Sequence, residues 1–139
     1  MDRLILAEKI EALRRCVARI EQRRAATPEA LQRDLDRQDI MSLNLTRAVQ
    51  TCVDIAMHLL ADTDEPVPTT MGEAFAGLVT QSFISEPLGK RLRAAVGFRN
   101  IVVHSYQSID WTIVHALTYA GVEDFRAFAA AVAPLLDAD

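Results

Sequence analysis

The sequence predicts an all-α fold, a bundle of four main helices and one short one. Three observations predict it. Apolar residues recur at three- and four-residue intervals through most of the chain. No alternating apolar–polar run of useful strand length occurs, and there is no internal repeat or low-complexity tract. Only 5 glycines and 5 prolines among 139 residues leave little material for a loop-dominated chain.

The first helix is expected over residues 2–25. Leu6, Ile10, Leu13, Val17 and Ile20 form its apolar stripe, and Glu8, Lys9, Glu11, Arg14, Arg15 and Arg19 its wet face. Thr27, Pro28 and Glu29 then read as an N-cap, a first-turn proline and a first-turn acid. The stripe that follows passes through Leu31, Leu35, Gln38, Ser42, Leu45, Val49, Cys52, Ala56 and Leu59. It predicts one long second helix over 28–60, with a possible break in the polar cluster 36–39. Asp62, Thr63, Asp64, Glu65, Pro66, Val67 and Pro68 form the one obvious loop.

Thr70 with Glu73 is a capping-box pattern, opening a short helix to about residue 79. Ser85, Glu86 and Pro87 start the next, with Leu88, Leu92, Ala95, Arg99 and Val102 along one face. Ser108 is the expected cap of the last helix. Its stripe is Trp111, Val114, Thr118, Val122, Phe125, Ala129 and Val132, ending near Pro134.

Length and composition set limits on function. At 139 residues the chain is expected to form one domain over 1–139 and to bury a core without disulfides or a structural metal. Apolar residues reach 50% and the mean hydropathy is +0.10, which leans towards a buried partner surface. A net charge of −4 argues against coating nucleic acid through bulk positive charge, though not against gripping one or two phosphates. No apolar run is long enough to span a membrane, and the charged N-terminal stretch has no signal-peptide core. Cys16 and Cys52 read as reduced core thiols of a cytoplasmic protein. Three histidines without a ligand pattern predict no metal, and no cofactor motif is present.

Chemistry concentrates in residues 99–106. Arg99, Asn100, His104, Ser105 and Tyr106 place a guanidinium, an amide, an imidazole, a hydroxyl and a phenol at a helix end. Arg suits a phosphate because its fork gives bidentate hydrogen bonds and keeps its charge. His can give and take a proton near neutral pH. Together they are the minimum for cleaving a phosphodiester without metal. Yet Arg99 and His104 lie about 140° apart round an ideal helix, so they share no face unless the helix ends or distorts. Two copies facing each other across a dimer axis would solve this. Read from composition and spacing alone, the plainer account comes first: Arg99 pairs with an acid at the core edge and His104 caps a helix end. Asp54 and His58 are a possible helix-face pair, and His115 is expected to pack near Trp111. The run Lys90, Arg91, Leu92, Arg93 is a solvated face or a source of local positive potential.

Arg99-x4-His104 resembles the R-x4-6-H motif of HEPN domains, all-helical proteins many of which are metal-independent ribonucleases. With Asn100 and Tyr106 the segment is similar to the R-x4-H-x-Y form of HepT toxins. Residues 45–58 resemble that family's second helix, and residues 71–75 and 98–104 follow in the expected order. The likeness covers most of residues 1–136. It implies a homodimer whose two motifs line a shared cleft, acting on RNA as an endoribonuclease toxin of a type VII toxin–antitoxin pair. It implies an MntA-like nucleotidyltransferase antitoxin as partner, which transfers AMP from ATP onto the motif tyrosine, by position Tyr106. Arg99 and His104 are the implied catalytic pair and Asn100 a positioning residue. The alternative is a non-catalytic interaction subunit that binds a nucleotidyltransferase, a nucleotide or both.

Overall fold

The computed structural model describes residues 2–137; Met1 and the last two residues of the expected domain span lie outside them. Every regular element among them is helical: α1 (Arg3–Arg23), α2 (Pro28–Gln32), α3 (Leu35–Leu60), α4 (Met71–Thr80), α5 (Glu86–His104) and α6 (Trp111–Val132), with 3-10 turns at Tyr106–Ser108 and Ala133–Leu136. Four long helices and the short α4 match the sequence expectation. No described helix is long and apolar enough to cross a membrane.

Helices α1 and α3 pack side by side, and α6 lies against α1, α3 and α5. Their expected stripes supply much of the core: Leu6, Ile10, Leu13 and Ile20 from α1, Leu45, Val49 and Cys52 from α3, and Val114, Val122 and Phe125 from α6 are all but fully buried. Met41, Ile55 and Phe128, outside those stripes, join them, while Leu35 of the expected stripe is exposed at the start of α3. Phe75 of α4 meets Phe128 edge-to-face at 6.2 Å. Burial of such side chains stabilises by about 1.5–3 kcal/mol each. Cys16 and Cys52 are buried and free, as expected.

Two boundaries differ from expectation. The predicted second helix is two helices, because Asp34 caps α3 through a 3.0 Å bond from the Arg37 N–H. The break therefore precedes the polar cluster 36–39. That cluster stitches the junction instead. The Arg37 guanidinium donates to the carbonyls of Arg23 and Arg24 at the end of α1, and Gln38 donates to those of Leu31 and Gln32 at the end of α2. These are the carbonyls a helix end leaves without partners. The second difference is the cap of α6. It is Asp110, which accepts from the Thr112 N–H at 2.9 Å, while Ser108 closes the 3-10 turn. At α4 the capping box is displaced by one residue: Thr70 accepts from the Glu73 N–H, and Glu73 returns to the N–H and hydroxyl of Thr69.

Candidate active site

The segment 99–106 sits where three elements meet: the C-terminal end of α5, the 3-10 turn that follows, and the N-terminal half of α3. Ser85 caps α5 at its start, and the helix stays regular to His104, where the Ser105 N–H closes it on the Ile101 carbonyl at 2.8 Å. Arg99 and His104 therefore keep the separation of an ideal helix, and no hydrogen bond joins them within the chain.

Arg99 is half-buried, and its Nη1 donates to the Asn100 side-chain oxygen at 3.1 Å. Its Nε is buried with no hydrogen-bond partner, and no carboxylate among the described residues pairs with it. The core-edge ion pair left open by the sequence is thus absent among the described residues. His104 is the last residue of α5 and is exposed. The N–H that caps the helix belongs to Ser105, so the imidazole does no capping there.

Tyr106 opens the 3-10 turn, 42% exposed, with its ring edge-on to Trp111 at 6.0 Å. Its hydroxyl donates to the Asp39 carboxylate of α3 at 3.0 Å. Partial burial pushes the phenol above its ordinary value, Asp39 adds to that, and the Ser42 hydroxyl facing it works the other way. Further along α3, Leu45 and Val49 border a small cavity with Ala95 and Phe98 of α5. The stretch of α3 between these contacts holds Ser42 and Thr46. The Thr46 hydroxyl is buried with no hydrogen-bond partner, and the Ser42 hydroxyl has only its approach to Tyr106.

A polar stripe of α3 thus runs through Asp39, Ser42 and Thr46, and its first two members face Tyr106. Sequence reasoning missed it because Ser42 was counted in the apolar stripe and Asp39 in a helix break. The three-then-four spacing was the available signal. Buried polar atoms without partners cost about 1–3 kcal/mol each and are rare in native chains, which singles out the Arg99 Nε and the Thr46 hydroxyl.

Other sequence candidates are structural. Asp54 and His58 do not pair: Asp54 takes Lys9 at 3.2 Å and the Gln50 amide at 3.0 Å, while His58 Nε2 meets the Asp2 backbone at 3.1 Å. Both side chains turn to α1 because it packs against this side of α3. His115 packs against Tyr119 at 5.2 Å and reaches the Ala25 carbonyl at 3.1 Å. In the run 90–93, Leu92 is core and Arg91 is neutralised by Asp124 at 2.7 Å, which leaves Lys90 and Arg93 as solvated cations. Among the described residues no group of three or more His, Cys, Asp or Glu is placed to hold a metal.

Residues 13–132 match the family model described as ribonuclease HepT-like. The mRNA nuclease HepT of Shewanella oneidensis is 35% identical over 124 residues, which cover 89% of this chain and 92% of that protein. A toxin–antitoxin crystal structure with AMP-PNP superposes with a TM-score of 0.87 at 32% identity, covering 94% of this chain and 98% of its own. The tri-AMPylated HEPN toxin of Shewanella oneidensis, in complex with its MNT antitoxin, gives 0.86 at 32% identity over 96% and 98% of the two chains.

Proposed function

The chain belongs to the ribonuclease HepT-like family, and from that premise we propose that it is a metal-independent endoribonuclease toxin, neutralised when a partner nucleotidyltransferase transfers AMP to Tyr106. The observation that carries the reading is the state of Arg99. Its guanidinium is held half-buried near a helix end, without a carboxylate partner among the described residues, near an exposed histidine and an exposed tyrosine. A cation kept free of internal acids at such a place suits an incoming phosphate.

In this reading the RNA 2′-hydroxyl attacks its adjacent phosphorus and the 5′-oxygen leaves, giving a 2′,3′-cyclic phosphate and a 5′-hydroxyl. His104 takes the 2′ proton or gives one to the leaving oxygen, and Arg99 clamps the phosphoryl oxygens as negative charge builds. Asn100 holds the guanidinium through its side-chain oxygen. The protons and charge are handled by side chains, so no metal enters the scheme. The 140° between Arg99 and His104 favours a homodimer, in which one protomer's His104 serves the phosphate held by its partner's Arg99. Exposed Ile101 and Val103 beside the motif supply an apolar rim for that contact.

The curated relative is called an mRNA nuclease, and one solved neighbour is an AMPylated toxin with its antitoxin. Transfer of AMP to Tyr106 would set an anionic phosphate two residues from His104 and block the RNA phosphate by charge and bulk. The Mg²⁺ of that transfer belongs to the partner's chemistry. The test is intact-mass analysis after incubation with the partner, ATP and Mg²⁺. AMP is expected on Tyr106, with loss of cleavage, and Tyr106→Phe should keep most cleavage but escape. An unmodified chain, or AMP on another residue, would overturn the assignment.

A further inference from the structure

Between α1 and α3 runs an open groove of about 620 Å³, walled by Arg15 and Arg19 on one side and Arg47 on the other, with Cys16 and Asn44 between them. The net charge of −4 hides it. Five other cations are held by acids: Lys9 by Asp54, Arg14 by Glu11, Arg37 by Asp34, Arg91 by Asp124, and Arg126 by Glu21 and Glu123. Lys90, Arg93 and Arg99 are not, but what marks this groove is that three arginines line it and no acid does. Arg24 lies over the Tyr119 ring at 4.0 Å. Arg15, Arg19 and Arg47 are exposed and make no ion pair with any described residue. Glu11, one turn before Arg15, bonds Arg14 instead. Asp54, at the Gln50 end of the groove, is taken by Lys9 and Gln50. The field of Arg47 and Arg15 reaches Cys16, whose thiol burial pushes up and these two cations pull back.

Three like charges gathered without counter-ions repel one another unless an anion joins them. The groove also lies along the same helix as the residues that meet the motif. Its α3 residues Leu43 and Arg47 directly follow Ser42, which faces Tyr106, and Thr46, about 100° further round. Arg15 and Arg19, one turn apart on α1, stand about 6 Å from each other, so they can grip neighbouring groups of one extended polyanion.

We propose that the groove of Arg15, Arg19 and Arg47 holds the phosphate backbone of the RNA strand as it runs out of the cleavage site. The proposal rests on the ribonuclease reading above. An acidic protein surface, such as the antitoxin's, would satisfy the same charges, but the groove's place on α3, next to the stretch that meets Tyr106, favours RNA. The strand crosses α3 from Arg99 to Arg47 and continues to Arg15 and Arg19. These are binding residues and take no part in the chemistry.

The test uses a fluorescent single-stranded RNA of mixed sequence and the full chain carrying His104→Ala, so that the probe stays intact. Arg47→Gln should weaken binding several-fold and reduce the slope of log K against log salt by about 0.7, the value for one phosphate contact on a single strand. Arg15→Gln and Arg19→Gln should each act likewise, and the triple variant should lower the slope by about 2. Thermal melts of the single variants confirm folding if the triple variant does not express. Affinity and slope equal to the parent's would overturn the proposal. So would intact RNA binding with loss of antitoxin binding, which would make the groove a protein surface. Cleavage by the chain with native His104 is measured in parallel. Its absence would point to failure of the ribonuclease reading, whereas cleavage with unchanged RNA binding by the variants overturns the groove alone.

Discussion

Arg99, His104 and Tyr106 differ in how far their environment already commits them. Arg99 is committed by burial, with Nε stranded and one Nη held by Asn100. Lysine in its place keeps a charge but loses the fork, so Arg99→Lys is not expected to rescue what Arg99→Ala loses. Tyr106 is held by Asp39. Its phenol binds its proton more tightly in the folded chain than in the unfolded one, through burial first and Asp39 second. The stability this contributes is fully present below about pH 10, the ordinary tyrosine value, and is lost as pH rises through the raised one. Asp39→Ala should move the Tyr106 ionisation part of the way back towards the ordinary value. A spectrophotometric titration in a Tyr119→Phe background checks this, and an unchanged midpoint would mean Asp39 does not hold the phenol in solution. The motif was legible in the sequence because its residue types are chemically unusual together. Asp39 was not: its polar spacing with Ser42 and Thr46 is visible, but that it meets a residue 67 positions away is not.

The helices were legible wherever an apolar stripe met a capping residue, as at Thr27, Thr70 and Ser85. Their misplacements have one physical source. Asp34 and Asp110 compete with nearby polar residues as caps, and the choice is made by tertiary contacts that stripe counting ignores. Arg37 and Gln38 reach back to carbonyls of α1 and α2, which holds the break at 33–34. The crossing of α4 on α5 is another tertiary demand. A Cβ on Gly89 would lie 2.4 Å from a Val79 methyl, whereas one on Gly97 would meet nothing within 4 Å. Gly89→Ala should therefore cost about 1–3 kcal/mol from overpacking, partly offset by helix propensity. Gly97→Ala should gain up to about 1 kcal/mol. Urea unfolding of both variants checks the pair, and a stabilised Gly89→Ala would show that the crossing is looser than described.

At the scale of the whole molecule, the chain leaves apolar residues uncovered around its most polar site. Leu35 is 73% exposed, Ile101 43% and Val103 49%, at the start of α3 and the end of α5. A second copy covering them would face motif to motif and bring His104 of one protomer towards Arg99 of its partner. Sedimentation at micromolar concentration should therefore give a dimer, and Val103→Asp should shift it to monomer with loss of cleavage. A stable wild-type monomer that cleaves RNA would contradict the shared cleft. The sequence hinted at this association through its apolar excess and the angle between Arg99 and His104, but which face is bare becomes visible only once the core is assembled. The central claim is that residues 99–106 cut RNA by side-chain acid–base chemistry. Its most direct test is cleavage of a defined RNA by the purified chain in EDTA, with the new ends identified. The account requires 2′,3′-cyclic phosphate and 5′-hydroxyl ends, with rates falling roughly 10²-fold or more in Arg99→Ala and in His104→Ala. Cleavage that needs an added divalent metal, or full activity in either variant, would contradict it.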